Sequence, residues 1–344
     1  MIDTAHIMEI YVNGELRSGK YLTNVRRIEI NQEINAISSL ELTVGIDASS
    51  GEISNGFAEN DKLDCYLSDN GALIPVFSGI ISNITIENDI LEGEVLVVIA
   101  YDPLYKLKKI LKQCHGDKYD ISQLISGLAE NDDYEIQIKH VPRIIDYCPL
   151  PAGNCFALLT ALCEEYGILF YFHKKQLFFF GIDSIPFESK EIPITPILPH
   201  ISENSFQRSS VHGKHRLFFL KNNTDHFFKY QETSSTGLIG GIKSLVDLGI
   251  IPNRGILHES KIFIEETQGV IRAEKTRLGY QLFQEKIELE IPLIPDIHPG
   301  KILIFTDKFL HFSELFVTEA THELSEGGYY TKITGFINSR RTLS

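Results

Sequence analysis

The side chains of this sequence best placed to do chemistry lie near its C-terminal end, in VTEATHELSEGGYYTKITGF (317–336). His322 stands among Glu319, Glu323 and Glu326 and is followed by Gly327-Gly328. An imidazole beside carboxylates could ligate a metal or carry a proton. The same text also reads as two strands and a turn. Glu326-Gly327-Gly328 fits a hairpin turn better than a phosphate loop, because strand-like text flanks it and no helix comes after it. On that reading His322 is a strand-end histidine on a partly exposed surface, and its glutamates are solvated neighbours.

Three other constellations have poor geometry. His212 and His215 in HGKH are three apart, so on a strand they point to opposite faces, a poor geometry for sharing a metal. Cys114-His115 pairs a thiol with a base, but adjacent side chains diverge, and the pair comes after a lysine-rich segment. Glu164-Glu165 would have to face each other across a sugar, whereas consecutive helical residues fan apart by about 100°. HExxH, GxSxG, GxGxxG ahead of a helix and the Walker loop are all absent from the sequence. The sequence therefore assigns no catalytic, cofactor-binding or metal-ligating residue.

The elements that would position any site are mostly strands. Leu40, Leu42 and Val44 alternate with Glu41 and Thr43; Leu63, Cys65 and Leu67 alternate likewise. Alternation puts Ile80, Ile84 and Ile86 on one face and Asn83, Thr85 and Glu87 on the other. Asn88-Asp89 then turns the chain, and Val95, Val97 and Ile99 return. Asn13-Gly14 and Asp69-Asn70-Gly71 offer further turns, so the first hundred residues predict a small closed or nearly closed barrel. Asp120 can cap a helix burying Ile121, Leu124, Ile125 and Leu128. Asn154 precedes a second helix that buries Cys155, Leu158, Leu159, Leu162 and Tyr166 and ends at Gly167. An apolar hairpin, ILFYF and LFFFG around His173 to Gln176, must be covered on both faces: by the helices on one, by a neighbouring domain or subunit on the other. Pro186, Pro193, Pro196 and Pro199 exclude a helix or central strand and mark an extended linker. Strand text resumes in VHGKHRLFFL and DHFFKYQE, Thr233 to Gly241 reads as a loop, and a polar helix is expected around Glu265 to Tyr280. KIELEIPL and PGKILIF again alternate as strands.

Composition limits the function classes. The 344 residues carry a net charge of -14, which argues against a protein that grips nucleic acid through phosphates. MIDTAHIMEIYVNG has neither a charged n-region nor an apolar h-region, so no secretory signal is expected, and no apolar run approaches about 18 residues. Five cysteines without CxxC spacing fit free thiols in a reducing cytoplasm.

The order of motifs resembles a known family. Phe77-x-Gly79-x-Ile81 leads to a hairpin ending AYDPLYKL (Ala100 to Leu107), and LLTALCEEYGILFYF is similar to the LLxxLxExxGxxFYF passage of tail hub proteins. HPGKILIF and LFVTEATHELSEGGYYTKITGF resemble their closing pattern, with Phe316, Val317, His322, Gly327, Gly328, Tyr329 and Thr331 in matching places. The family is that of phage late control gene D proteins, the baseplate hubs of contractile tails, related to the N-terminal part of type VI secretion VgrG. Residues 186–258 carry no matching pattern.

The resemblance implies an α+β, mainly β, chain. Residues 1–104 would be a first tube-like barrel and 105–185 an inserted two-helix and aromatic-hairpin domain. Residues 186–258 would be a Pro-rich, irregular β-rich region partly belonging to a second barrel at 259–344. It also implies a homotrimer of six barrels joining a hexameric tail tube to a separate trimeric spike, with tape measure and baseplate wedge proteins as further contacts. Localisation would be the baseplate of a virion or tail-like particle, without membrane insertion, cofactor or enzymatic activity. The hairpins at 76–101 and 315–336 should then be equivalent, a weak internal duplication. Two other classes remain open: a tail-tip cell-wall hydrolase, which would need an acid–base pair, and a carbohydrate-binding receptor protein, for which tyrosines would replace the missing tryptophan.

Overall fold

The computed structural model describes residues 8–17, 25–46, 56–69, 71–89, 93–112, 118–139, 141, 145–147, 153–181, 189–192, 207–210, 216–220, 227–231, 243–244, 285–305, 314–325 and 328–337. The chain is α+β and mainly β. It opens with strands β1 (Met8–Val12), β2 (Glu15–Leu16), β3 (Val25–Glu33), β4 (Ser39–Gly45), β5 (Lys62–Asp69), β6 (Ala72–Asp89) and β7 (Gly93–Tyr101). A short 3-10 helix, Pro103–Lys109, leads into β8 (Leu111–Lys112), β9 (Lys118–Asp120), α1 (Ile121–Ala129), β10 (Glu135–Lys139) and β11 (Ile145–Tyr147). Then come β12 (Gly153–Asn154), α2 (Cys155–Tyr166), β13 (Ile168–His173) and β14 (Gln176–Gly181). Next are β15 (Ser189–Ile192), β16 (Gln207–Ser210), β17 (Arg216–Leu220), β18 (Phe227–Gln231) and β19 (Lys243–Ser244). The chain closes with β20 (Glu285–Pro292), β21 (Ile302–Phe305), β22 (Glu314–Ser325) and β23 (Gly328–Ile337).

Alternation locates the core in β4 and β5, where Leu40, Leu42, Val44, Leu63, Cys65 and Leu67 are all buried. It fails in β6. The β6·β7 ladder shifts between Ile81 and Asn83, leaving Ser82 as a bulge. An inserted residue reverses the facing of everything beyond it. Ile81, buried, therefore shares the inner face with Ile84, while Ile80 faces the other way and Ile86 is 61% exposed. Leu96, Val98 and Ala100 of β7 join this core, whereas Val95 and Val97, buried as well, lie on the opposite face with Ile99. Asn88 and Asp89 stay in β6, where Asp89 still pairs with Gly93. Ser189–Ile192 of the proline-rich segment is a strand that, among the described residues, pairs with β21 alone; an edge place like this tolerates the prolines nearby.

The large sheet contains the same arrangement twice. Its order β3-β4-β7-β6-β5 is matched by β16-β20-β23-β22-β21, each set in the same sequence order and paired antiparallel. The β22·β23 ladder shifts between Val317 and Glu319, so Thr318 is the counterpart of Ser82. Both bulge hydroxyls donate across the hairpin: Ser82 Oγ to the carbonyl of Ile99 at 3.2 Å and Thr318 Oγ1 to that of Thr334 at 3.1 Å. Counting from the bulges, Val98 corresponds to Ile333, and their partners Leu42 and Leu289 correspond in turn. The hairpins at 76–101 and 315–336 are thus alike in order, register and bulge. The two units meet where β22 pairs with β3, from Glu319↔Glu33 to Ser325↔Arg27.

The inserted segment obeys the capping signals. Asp120 accepts from the Ser122 amide at 2.9 Å, Asn154 accepts from the Ala157 amide at 2.8 Å, and Gly167 ends α2 at φ 60°. Both helices share one core with Ile168, Phe170, Phe172, Leu177 and Phe179 of the aromatic hairpin. Its other face, Leu169 and Phe180, packs on Ile302 and Phe316 of the second β unit. The chain itself therefore covers both faces at these positions, and they need no neighbouring subunit.

Candidate functional site

His322 is fully buried, contrary to a surface strand-end position. The reason is parity: beyond the Thr318 bulge, Ala320, His322 and Leu324 all face inward. Its Nε2 lies 2.9 Å from the Ile297 carbonyl, so Nε2 carries the hydrogen, and Nδ1 accepts from Thr331 Oγ1 at 3.1 Å. Thr331 Oγ1 in turn accepts from the Ile294 amide at 3.0 Å. The chain of bonds clamps the segment between β20 and β21 onto the β22–β23 hairpin. That segment carries His298, whose ring stacks at 3.9 Å on His173 of the aromatic hairpin. At its end Gly300 (φ 85°) abuts the Tyr171 ring, where a Cβ would come within 2.4 Å. Asn35, in the β3–β4 turn at φ 60°, donates its amide to the Phe170 carbonyl and accepts from the Phe170 amide, both at 2.8 Å. The site is therefore a junction that locks both β units to the insertion.

Burial keeps these imidazoles neutral. It lowers His322 to about 4, with the Ile297 contact partly opposing, and lowers His298 to about 4 against the Pro299 carbonyl. It takes His173 well below its usual value, helped by His298 and Lys174.

A group whose folded pKa lies below its ordinary 6.5 contributes its full stability above that value and loses it as the pH falls toward the folded pKa. Asp102 has the opposite sign. Burial raises it to about 7 despite the Ser38 and Leu104 amides bonded to it, so its contribution is greatest in acid and is lost as pH rises through about 7. With three imidazoles against one carboxyl, the melting temperature should fall as pH drops from 6.5 to about 4. A level melting temperature across that window in calorimetry would mean that the folded rings accept protons freely.

Glu323 is also nearly buried rather than solvated. Burial works to raise its carboxyl, but the Tyr330 hydroxyl, Lys332 and Arg27 outweigh it and hold the group below the usual carboxylate range. Arg27 lies at 3.4 Å and Lys332 at 3.2 Å, which ties β3, β22 and β23 together. Both basic partners are about half exposed, so the pairs are screened. Glu323→Gln should cost about 1 kcal/mol, in the range of exposed pairs, and the difference should shrink in high salt. A salt-independent loss in urea unfolding would instead assign Glu323 a packing role.

The remaining candidates do not converge. Glu319 is half-buried on the outer face, away from His322, and Glu164 is exposed at the end of α2. His212, His215, Cys114, His115, Glu326, Gly327, the Glu165 side chain and the expected helix at 265–280 lie outside the described residues. Among the described residues no group of three His, Cys, Asp or Glu could hold a metal, and no helix is long and apolar enough to cross a membrane. Cys65, Cys155 and Cys163 are buried free thiols, and burial raises Cys65 to about 12. Sequence reasoning missed His173 and His298. Only the inward parity of His322 between Ala320 and Leu324 was there to be read.

No family model and no curated protein matches the sequence. Solved structures do match. A tail protein from Neisseria meningitidis superposes with a TM-score of 0.67 at 12% identity, over 97% of this chain and 96% of that one. The 43 kDa tail protein of prophage MuSo2 from Shewanella oneidensis gives 0.63 at 11% identity, over 96% and 98%. A component of the E. coli type VI secretion system, itself similar in structure to phage T4 tail proteins, gives 0.59 at 11% identity, over 96% and 77%. Along nearly its whole length, the chain has the fold of these phage tail and type VI secretion proteins.

Proposed function

We propose that this chain is a non-enzymatic hub of a phage tail or a related contractile injection machine. Three copies would close into a ring of six β units, joining a hexameric tube on one side to a separate trimeric spike on the other. The observation that carries the reading is the duplicated β unit with its repeated bulge, within a fold shared with tail proteins. A subunit bearing two equivalent units can meet sixfold and threefold partners at once. On this reading residues 1–104 and 259–344, with part of 186–258, are the two tube-like domains, and 105–185 is the insertion that braces them.

The outer face of the joined sheet carries Glu29, Glu41, Glu288, Glu290 and Glu319, offset by Arg27 and Lys332. Turned toward a central channel, an acid-rich wall would repel phosphate and let DNA pass without sticking. Assembly would take place in the bacterial cytoplasm, with tape measure and wedge proteins as further contacts. An antibody against this chain should decorate one end of purified tail particles, where tube meets spike. Decoration along the shaft would refute the reading.

A further inference from the structure

Among the described residues, the duplication leaves one strand edge without its counterpart. In the second unit, the outer edge of β22 from Glu319 to Ser325 is occupied by β3. The equivalent stretch of β6, Asn83 to Asp89, pairs with β7 on one side, while β5 stops at Ile80↔Lys62. Among the described residues nothing pairs with the other side. The consequence appears at equivalent positions: His322 is fully buried, whereas Ile86 is 61% exposed. A bare strand edge with an apolar side chain on it is a template for another strand.

The register also identifies the strand. β3 sits beside β4 in the first unit, and β16 sits beside β20 in the same antiparallel relation in the second. β16 ends the path of the sheet, so its far edge is unpaired among the described residues. Ile30 pairs with both Leu40 and His322; Leu40 corresponds to Ile287, and Ile287 pairs with Arg208. We infer that β16 of one copy adds antiparallel to the Asn83–Asp89 edge of β6 in a second copy, with Arg208 opposite Ile86 and Ser209 opposite Thr85. The contact in trans repeats the β22·β3 contact in cis. It is head-to-tail, which closes rings when the rotation allows. The inference rests on the hub reading above, and it names the interface that would build the ring.

Paired residues of antiparallel strands lie about 4.5–5.5 Å apart at Cα, within disulfide reach. The test is the full chain carrying Thr85→Cys and Ser209→Cys, mildly oxidised and run without reductant. Disulfide-linked dimers and trimers are expected. The single variants, and Thr85→Cys combined with Gln207→Cys, should give at least about tenfold less. Because Ile86 is exposed within one chain, Ile86→Asp should fold normally yet shift the sedimenting species from oligomer to monomer. A chain that forms trimers without the Thr85–Ser209 link, and in which Ile86→Asp changes nothing, overturns the strand pairing and leaves the hub reading standing. A link formed within one chain also overturns it. A wild-type chain that stays monomeric overturns both.

Discussion

Replacing His322 by Ala should destabilise the chain by about 2–5 kcal/mol, comparable with Ile333→Ala, a core truncation in the same hairpin. Ile333 is 1% exposed and loses only packing when truncated. His322 loses two hydrogen bonds as well, leaving Thr331 Oγ1 and the Ile297 carbonyl short of a partner in a buried place. The segment that carries His298 would come loose from the hairpin, so the damage should reach the insertion. Urea unfolding at pH 7 measures both variants against wild type. A His322→Ala loss within the ~0.5 kcal/mol usual for surface positions would show that the clamp does not hold the segment.

Gly79→Ala should be as damaging, by about 3 kcal/mol or more, for a different reason. A Cβ on Gly79 would stand 2.3 Å from the Tyr101 carbonyl and 2.6 Å from the Phe77 ring. Tyr101 pairs with both Ser39 and Ile80, so its backbone cannot retreat without breaking two ladders. This accounts physically for the glycine of the Phe77-x-Gly79-x-Ile81 motif: the strand at that point admits no side chain. Gly127 supplies the control, because a Cβ there meets nothing within 4 Å and the residue lies inside α1. Gly127→Ala should be neutral or stabilising by about 0.5–1 kcal/mol. Thermal melts that rank the two substitutions equally would refute the steric account.

The parts of the fold legible in the sequence are those governed by local rules. The caps Asp120 and Asn154, the left-handed Gly167, the Asn13-Gly14 turn and the alternation of β4 and β5 all depend on residues close in sequence. The strand–turn–strand likeness of the two hairpins was legible too, but their bulges were not. Ser82 and Thr318 are unremarkable residues in strand text, yet each inverts the facing of the residues beyond it. That is why alternation assigned Ile80 to the wrong side. His322 illustrates a conflict between residue type and position. Imidazole chemistry suggests a surface, whereas its place between Ala320 and Leu324 requires the interior. The stacking of His173 on His298 and the pairing of β22 with β3 join segments far apart in sequence, and no local pattern announces them.

If three copies close into a ring, the mass of the chain in solution must be that of a trimer. Sedimentation of the purified protein across a range of concentrations should reveal a species of three times the 38.9 kDa chain mass. A stable dimer, or a monomer at every concentration, would refute the ring.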